Sequence, residues 1–508
     1  MSKAEPAVPS PTIVPKPWST GLGPYYIGLF LGIVSFDQLG VRALPVGGLG
    51  WSCLGALVAG PLCYLLLFRV PAAWGQATGL ALPELSRSTF GSGGARWVPG
   101  LLLGLAEVAW FAVAIYYGTD LTFRGLGEVG LLDGRALRTV RLGPLTVQGP
   151  LFLATSLVWS VAAALVGRWL VRLIAAIMYV FPVFPAVMLG GAMLAMLGGL
   201  RGFAATGQDP MGVAVPYARA GIWSMMTVVQ LLFGFFAMAG ASGADWGAAT
   251  SSAKDVRVGG WVAVGLAPVV IATLGLLAVA GQIGRSGAGQ PGVDDDVQSI
   301  PDPYRAPAGS RPRTLVSSSS DIRTIGGSPE GTFRAVMTEG IGGKVGCLML
   351  TVFGVAALAP AVYSSYVFGR RLHATFPRIP LTGWTAIALT VGWALAATGS
   401  VARLDRVFTA MGALFAPVVG CMTAEHARHK GIWPGPRRGV NLPGLIGWAG
   451  GLAVGLIPFY PGRLASLQPA AFWAFLAAFA LYRVVASLGG EAAVIASDTP
   501  AEPRTTAA

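Results

Sequence analysis

The chain has 508 residues, 54% of them hydrophobic and only 11% charged, with a formal net charge of +13. A water-soluble globular domain carries roughly 25% charged residues, so this composition excludes one and points to an α-helical integral membrane protein. The basic residues lie between apolar blocks, where they set topology and meet lipid headgroups rather than nucleic acid.

The first residues, 1–20, are polar and Pro-rich and read as a cytoplasmic tail without a signal-peptide pattern. Apolar blocks of the length that crosses a roughly 30 Å hydrocarbon core as a helix then follow one another. They predict twelve spans, at about 22–44, 50–68, 97–118, 149–167, 170–198, 221–243, 259–282, 343–368, 382–399, 407–423, 441–459 and 467–486, with a second cytoplasmic tail over 487–508. With both termini inside, the inner connections hold Arg69, Arg87, Arg96, Arg168, Arg172, Lys254, Arg257, Arg370, Arg371, Arg378, Arg428, Lys430, Arg437 and Arg438, as the positive-inside rule asks. The outer connection from Arg124 to Arg141 is the exception. The expected location is an inner or plasma membrane.

One connection is long, about 284–342. It is rich in Pro, Ser and Gly, carries Asp294, Asp295 and Asp296, and its composition predicts disorder. The 72 glycines fit close helix approach in a bilayer and equally a GC-rich genome. Cys53, Cys63, Cys347 and Cys421 are scattered, with neither metal spacing nor a disulfide framework.

Two spans share an interruption. The first contains Ser35-Phe36-Asp37-Gln38-Leu39-Gly40 and the sixth Gly240-Ala241-Ser242-Gly243-Ala244-Asp245. They stand five spans apart and so enter the membrane from opposite sides. That is the pattern of inverted repeats, here about 22–198 and 221–423 within a 21–486 transporter domain, whose broken helices offer backbone groups to substrate and ions. The alternative is glycine serving packing, with the aspartates near span ends.

Several polar residues lie inside spans. Asp37 suits ion or proton coupling, or an ion pair with Arg42 one turn on. Gln38 offers an amide to a polar solute. Glu107 is either a protonatable relay or a hydrogen-bonding partner for a neighbouring helix. Trp110, Phe111, Tyr116 and Tyr117 make the third span aromatic, and Phe233, Phe235 and Phe236 the sixth; such rings hold flat solutes or fill helix contacts. His373, His426 and His429 lie on inner connections beside basic residues, which argues against a metal site. No nucleotide loop, nucleophile elbow or acidic metal motif is present, so neither an enzyme nor ATP hydrolysis is expected.

The stretch Gly79-Leu80-Ala81-Leu82-Pro83-Glu84-Leu85-Ser86-Arg87-Ser88-Thr89-Phe90-Gly91, then Gly94-Ala95, Pro99 and Trp110-Phe111, resembles the signature between spans two and three of the nucleobase–cation symporter family. Asp245 with Ser251 to Asp255, Tyr363-Ser364 through Phe376-Pro377, and Ala416-Pro417-Val418-Val419-Gly420 with Glu425 agree with it. The resemblance implies a five-plus-five inverted repeat of the leucine-transporter type with two extra helices. It implies cation-driven uptake, without an organic cofactor, of a nucleobase or related heterocycle such as a purine, cytosine, allantoin or a hydantoin. By position it places substrate contacts at Gln38, Trp110, Phe236, Ala114 and Gly240, and ion or proton coupling at Asp37, Glu107, Val355 and Ala356. Ala114 stands where the family often has Gln, and Ala361 where it often has Asn. Val355 and Ala356 stand where a hydroxyl pair binds sodium, so Asp37 is expected to replace that site with Na⁺ or H⁺. A one-turn shift brings in Ser364 and Ser365 instead. An amino-acid permease of the same fold and a non-transporting sensor are the competing readings.

Overall fold

The structure, a computed structural model, describes residues 17–18, 32, 34–132, 139–142, 145–169, 183–207, 216–286, 333, 336–460 and 468–495. Residues 22–31 of the first predicted span, nearly all of the N-terminal tail, residues 496–508 of the C-terminal tail, the start of the fifth predicted span with Arg172, the acidic run Asp294 to Asp296 and most of the long connection lie outside the described residues.

After a short π-helical stretch, Val34–Leu39, the main helices are α1 (Leu44–Thr78), α2 (Arg87–Gly127), α3 (Pro150–Trp169), α4 (Ala186–Gly202), α5 (Ala218–Ala241), α6 (Gly243–Ala248), α7 (Ala253–Arg285), α8 (Val336–Thr375), α9 (Leu381–Ala397), α10 (Leu404–Arg428), α11 (Leu442–Phe459) and α12 (Ala470–Ser487). Among the described residues nine helices are long and apolar enough to cross a membrane, and α4 and α9 are shorter apolar helices. Helix is the solution because hydrocarbon offers no partner to a backbone N–H or C=O. Their outer faces are apolar: Leu57, Val158, Val187, Leu194, Val345 and Leu348 are each more than half exposed. On a water-soluble protein such a surface would aggregate; against lipid tails it is the expected one. The chain is a multi-pass membrane protein.

Burial ranks the helices. In α2 and α10, 72% of the most apolar stretch is enclosed by protein, against 33% in α3 and 28% in α11. The centre is therefore α2, α5 and α10, with α1 and α12 packed on α5 and α10, and α8 and α9 on α2. The outer connection predicted between spans three and four contains an antiparallel hairpin, β1 (Thr139–Leu142) with β2 (Leu145–Gln148). Apolar periodicity alone did not distinguish these short strands from loop. The long connection is also shorter than its composition suggested. Val336–Gly342 is helical, and Phe333, Val336 and Met337 are fully buried, because these apolar side chains have a helix surface to cover.

Where helices cross closely, glycine faces backbone. A Cβ on Gly75 of α1 would collide with the Ala244 carbonyl of α6, and one on Gly247 of α6 with the Ala72 carbonyl of α1. This reciprocal pair sets the α1–α6 distance. Polar glue accompanies it between α1 and α5, where Ser52 and Ser224 share a hydrogen bond of 2.9 Å and Ser224 donates to Ala43 O at 2.9 Å. At the start of α7, Ser252 accepts from the Asp255 N–H at 3.0 Å and its hydroxyl donates to the Asp255 carboxylate at 2.7 Å. This N-terminal cap accounts for the polar stretch 251–255.

Replacing Gly247 by Ala should destabilise the protein by about 1–3 kcal/mol through overpacking. Gly190→Ala, where an added Cβ meets nothing within 4 Å, should be neutral or stabilising. Thermal unfolding in detergent measures both, and equal midpoints would show that the α1–α6 crossing is not set by glycine.

Candidate functional site

The centre of the bundle holds an aromatic cluster. Trp110 of α2 meets Phe235 of α5 edge-on at 5.5 Å between ring centroids, and Phe408 of α10 at 5.7 Å. Phe235 in turn meets Phe236 at 5.0 Å and Phe408 at 5.2 Å, both edge-on. Phe236 and Phe408 are fully buried, while Trp110 and Phe235 are half-buried. Three helices thus each contribute an aromatic, and the two rings with free area belong to Trp110 and Phe235. Phe408 was not evident from sequence: a lone Phe one turn inside a span has no pattern, and only the packing of α10 on α5 brings it in.

Glu107 lies one helical turn before Trp110 on α2, on the same face, and is buried. Ser364 of α8 stands beside it, and Arg371 and Asp245 are the charges that act on it. Tyr363, adjacent to Ser364, stacks with Trp246 at 6.5 Å. Arg371 pairs with Asp245 at 2.7 Å, and the second oxygen of Asp245 accepts the Leu82 N–H at 3.0 Å. A carboxyl, a hydroxyl and an ion pair therefore lie on the Arg371 side of the aromatic cluster. Ser365 is turned away; it donates to Ala163 O of α3 at 3.0 Å and to Val362 O at 2.7 Å.

Both stretches marked in the sequence depart from regular α-helix. Val34–Leu39 winds more widely than an α-helix, as functional helix segments often do, and a single turn residue, Ser242, separates α5 from α6. Asp37 and Gln38 lie in the first and are both buried. The Asp37 carboxylate accepts the Phe333 N–H at 2.8 Å, from the segment that leads into α8. Gln38 Oε1 accepts from Arg42 at 3.2 Å. The alternative reading, an ion pair between Asp37 and Arg42, does not hold: Arg42 reaches Asp405 at the start of α10, at 2.7 Å.

The remaining residues are apolar or small. Ala114 is fully buried in α2. Gly240 lies against α1, where a Cβ would come within 2.5 Å of the Leu67 Cβ. Val355 and Ala356 end the first half of α8, which is interrupted at Ala357; Val355 is exposed and Ala356 buried. Neither carries a side-chain oxygen. Among the described residues no group of His, Cys, Asp and Glu is placed to hold a metal ion.

The 79–91 motif builds a second polar centre at the end of the bundle where α1, α10 and α12 finish. Ser88 and Thr89 both donate to Glu425 Oε2, at 2.9 and 2.5 Å. Arg437 lies 3.5 Å from Glu425 Oε1 and 3.2 Å from Glu491, all but sealed from solvent. The backbone is stitched as well: Arg437 N–H donates to Arg87 O at 3.0 Å, Ser92 N–H to Arg437 O at 2.9 Å, and Asn441 N–H to Phe90 O at 2.9 Å. Gly91, at φ +78°, makes the bend that lets this happen, and a Cβ there would strike the Gly439 carbonyl. Residues 491–495 close the cluster, with Ala492 N–H donating to Asn441 Oδ1 at 2.9 Å and Ile495 N–H to Pro436 O at 2.8 Å. Burial pushes the His429 imidazole below its ordinary pKa, and its Nε2 accepts from Arg437 at 3.4 Å.

Comparison of the sequence with protein-family models and with curated proteins gives no match. The fold does have relatives among solved structures. Mhp1, a nucleobase-cation-symport-1 family transporter, in a closed conformation with bromovinylhydantoin bound, superposes with a TM-score of 0.58 at 14% identity, over 94% of this chain and 95% of that one. The inward-facing conformation of Mhp1 gives 0.57 at 16% identity, over 96% of each chain. The substrate-bound outward-open state of a Na⁺-coupled sialic acid symporter gives 0.51 at 12% identity, over 95% and 92%. The chain has the fold of these transporters along nearly its whole length.

Arg437→Leu should cost about 3–5 kcal/mol, since it strips one partner from a sealed pair. Arg438→Leu, at an exposed position, should cost almost nothing. The double variant R437L/E425L should regain part of the loss. Melting curves of the three proteins decide it, and an R437L midpoint equal to that of R438L would remove Glu425 as the centre of this cluster.

Proposed function

We propose that the chain is a secondary active transporter of the nucleobase–cation symporter family, taking up a nucleobase or a related small flat heterocycle with H⁺ or Na⁺. The observation that carries this reading is the convergence of Trp110, Phe235, Phe236 and Phe408 from α2, α5 and α10, with Glu107 one turn away. A planar heterocycle gains from offset stacking and apolar burial against Trp110 and Phe235, and its ring N–H and carbonyl groups need hydrogen-bond partners once out of water. Glu107, Ser364 and Gln38 are the side chains proposed to supply them. The fold shared with Mhp1 and the 79–111 motif support the same conclusion.

In this reading the chain has twelve membrane helices, arranged as two inverted five-helix repeats plus α11 and α12. The stretch around Asp37 and Gln38 is the broken first helix and α5–α6 the broken sixth. Substrate binds between them near the bilayer midplane and crosses by alternating access. Both termini and the Glu425 cluster face the cytoplasm. Because Val355 and Ala356 offer no oxygen, coupling falls to Asp37 and Glu107, which bind Na⁺ or carry a proton. The protein binds and moves its substrate without altering it.

Uptake of radiolabelled cytosine, hypoxanthine, uracil, allantoin and leucine into proteoliposomes, under separate proton and sodium gradients, tests the proposal. Uptake of a base or allantoin, but not leucine, is expected. Trp110→Ala should raise the half-saturation concentration about tenfold or more, the equivalent of about 1.4 kcal/mol of stacking and burial. Glu107→Gln should abolish gradient-driven accumulation while binding survives. Leucine uptake competing with none of the bases would replace the nucleobase reading with an amino-acid permease, and no uptake of any solute would leave a sensor.

A further inference from the structure

Where α3, α8 and α9 meet lies a small pocket with Gly167, Arg168, Ser365, Tyr366, Arg370 and Thr385 in its lining. The transport reading makes no use of it. Glycine brings the three helices together there: a Cβ on Gly167 would collide with the Ser365 hydroxyl, and one on Gly369 would lie 2.6 Å from Thr385 Oγ1. The two hydroxyl hydrogens are already committed to main-chain carbonyls, Ser365 to Ala163 O and Val362 O and Thr385 to Leu381 O. The donors left to the pocket are the two guanidinium groups and the Tyr366 hydroxyl.

Consecutive arginines divide their tasks here. Arg371 turns into the bundle and is neutralised by Asp245. Arg370 turns outward, is exposed, and rests 4.5 Å over the Tyr366 ring, a contact that orients the cation without cancelling its charge. Arg168, at the last turn of α3, is exposed too. Among the described residues neither Arg168 nor Arg370 has a carboxylate within ion-pair distance. Arg378, exposed on the connection into α9, adds to the unneutralised charge.

A second feature names the kind of anion. Val158, Val161, Leu165 and Trp169 follow one another at helical spacing along α3 and are 66%, 40%, 43% and 70% exposed. They form an uncovered apolar stripe that ends beside Arg168. Tryptophan at the end of a span sits at headgroup depth. A phosphate at the guanidinium pair would thus have an acyl-chain path directly above it, which inorganic phosphate cannot exploit.

We infer that this pocket binds the phosphate of an anionic phospholipid, held by Arg168 and Arg370 with one chain along the α3 stripe. Guanidinium suits a phosphate because its planar donors engage two oxygens at once. A net negative headgroup is preferred because the cations face it without a counter-charge of their own.

The test uses the full chain, purified and delipidated in detergent. Its melting temperature is measured with added phosphatidylglycerol, phosphatidylcholine or inorganic phosphate at matched ionic strength, for the wild type and for R168Q/R370Q. Phosphatidylglycerol should raise the wild-type midpoint by a few degrees, as a ligand of the native state does, and phosphatidylcholine and inorganic phosphate should not. The double variant should match the wild type in phosphatidylcholine and lose most of the phosphatidylglycerol response. An undiminished response in the variant overturns the site. An inorganic-phosphate response equal to that of the lipid, and lost in the variant, overturns the lipid as its source. Should R168Q/R370Q fail to fold, R168K/R370K keeps the charge and loses the planar donors. It should then retain less phosphatidylglycerol in native mass spectrometry, and equal retention counts against the proposal.

Discussion

A carboxylate taken out of water has to be met by donors within the protein, and for Glu425, Asp245, Asp405 and Asp37 the donors come from distant parts of the sequence. Glu425 is met by Ser88 and Thr89, more than three hundred residues earlier. Asp245 is met by Arg371 and the Leu82 N–H, Asp405 by Arg42, and Asp37 by the Phe333 N–H. Each bond ties a helix end to an element that apolar contact alone would leave free to slide, since lipid tails are as apolar as the helices themselves. The arrangement of the bundle depends on these pairings.

Within the frame they fix, the middle of the protein is free to be aromatic and nearly dry. α2, α5 and α10 are the most enclosed helices, and each gives a ring to the Trp110 cluster. The charged groups stop short of it: Arg42 and Asp405 on one side, Arg371 and Asp245 on the other. A solute between those two ion pairs would meet π-faces and a single carboxyl at Glu107.

Much of this was legible in the residues. The apolar blocks located α3, α5, α9, α11 and α12 to within a few positions, because twenty apolar residues in a row leave a chain few alternatives, whereas α1, α2 and α8 run well past the predicted ends on both sides. Asp37 and Gly240 to Asp245 marked both departures from regular α-helix, since a carboxylate or a glycine cluster inside a span is conspicuous. What stayed hidden was pairing. Nothing in the local sequence says that Arg42 prefers Asp405 to Asp37, that Phe408 completes a ring cluster begun on α2, or that Gly240 serves the packing of α1. The 79–91 stretch was recognisable as a motif, but its physical role, holding Glu425 and the 437–441 backbone, needed the chain folded. Short strands 139–148 and the helical end of the long connection escaped for the opposite reason: their patterns are too brief to rise above the composition around them.

The residues that finish the 87–93 bend are Glu425, Arg437, Asn441 and, behind them, Glu491 to Ile495. Chains are made from the N-terminus onward, so α1 and α2 enter the membrane long before any of those partners exists. Until they arrive, the Thr89 hydroxyl and the carbonyls of Arg87 and Phe90 lack the partners they have in the finished fold. One face of the earliest helices is therefore completed last. A chain that stops before Glu491 has every helix from α1 to α12 but leaves Arg437 and Asn441 without the partners that Glu491 and Ala492 supply.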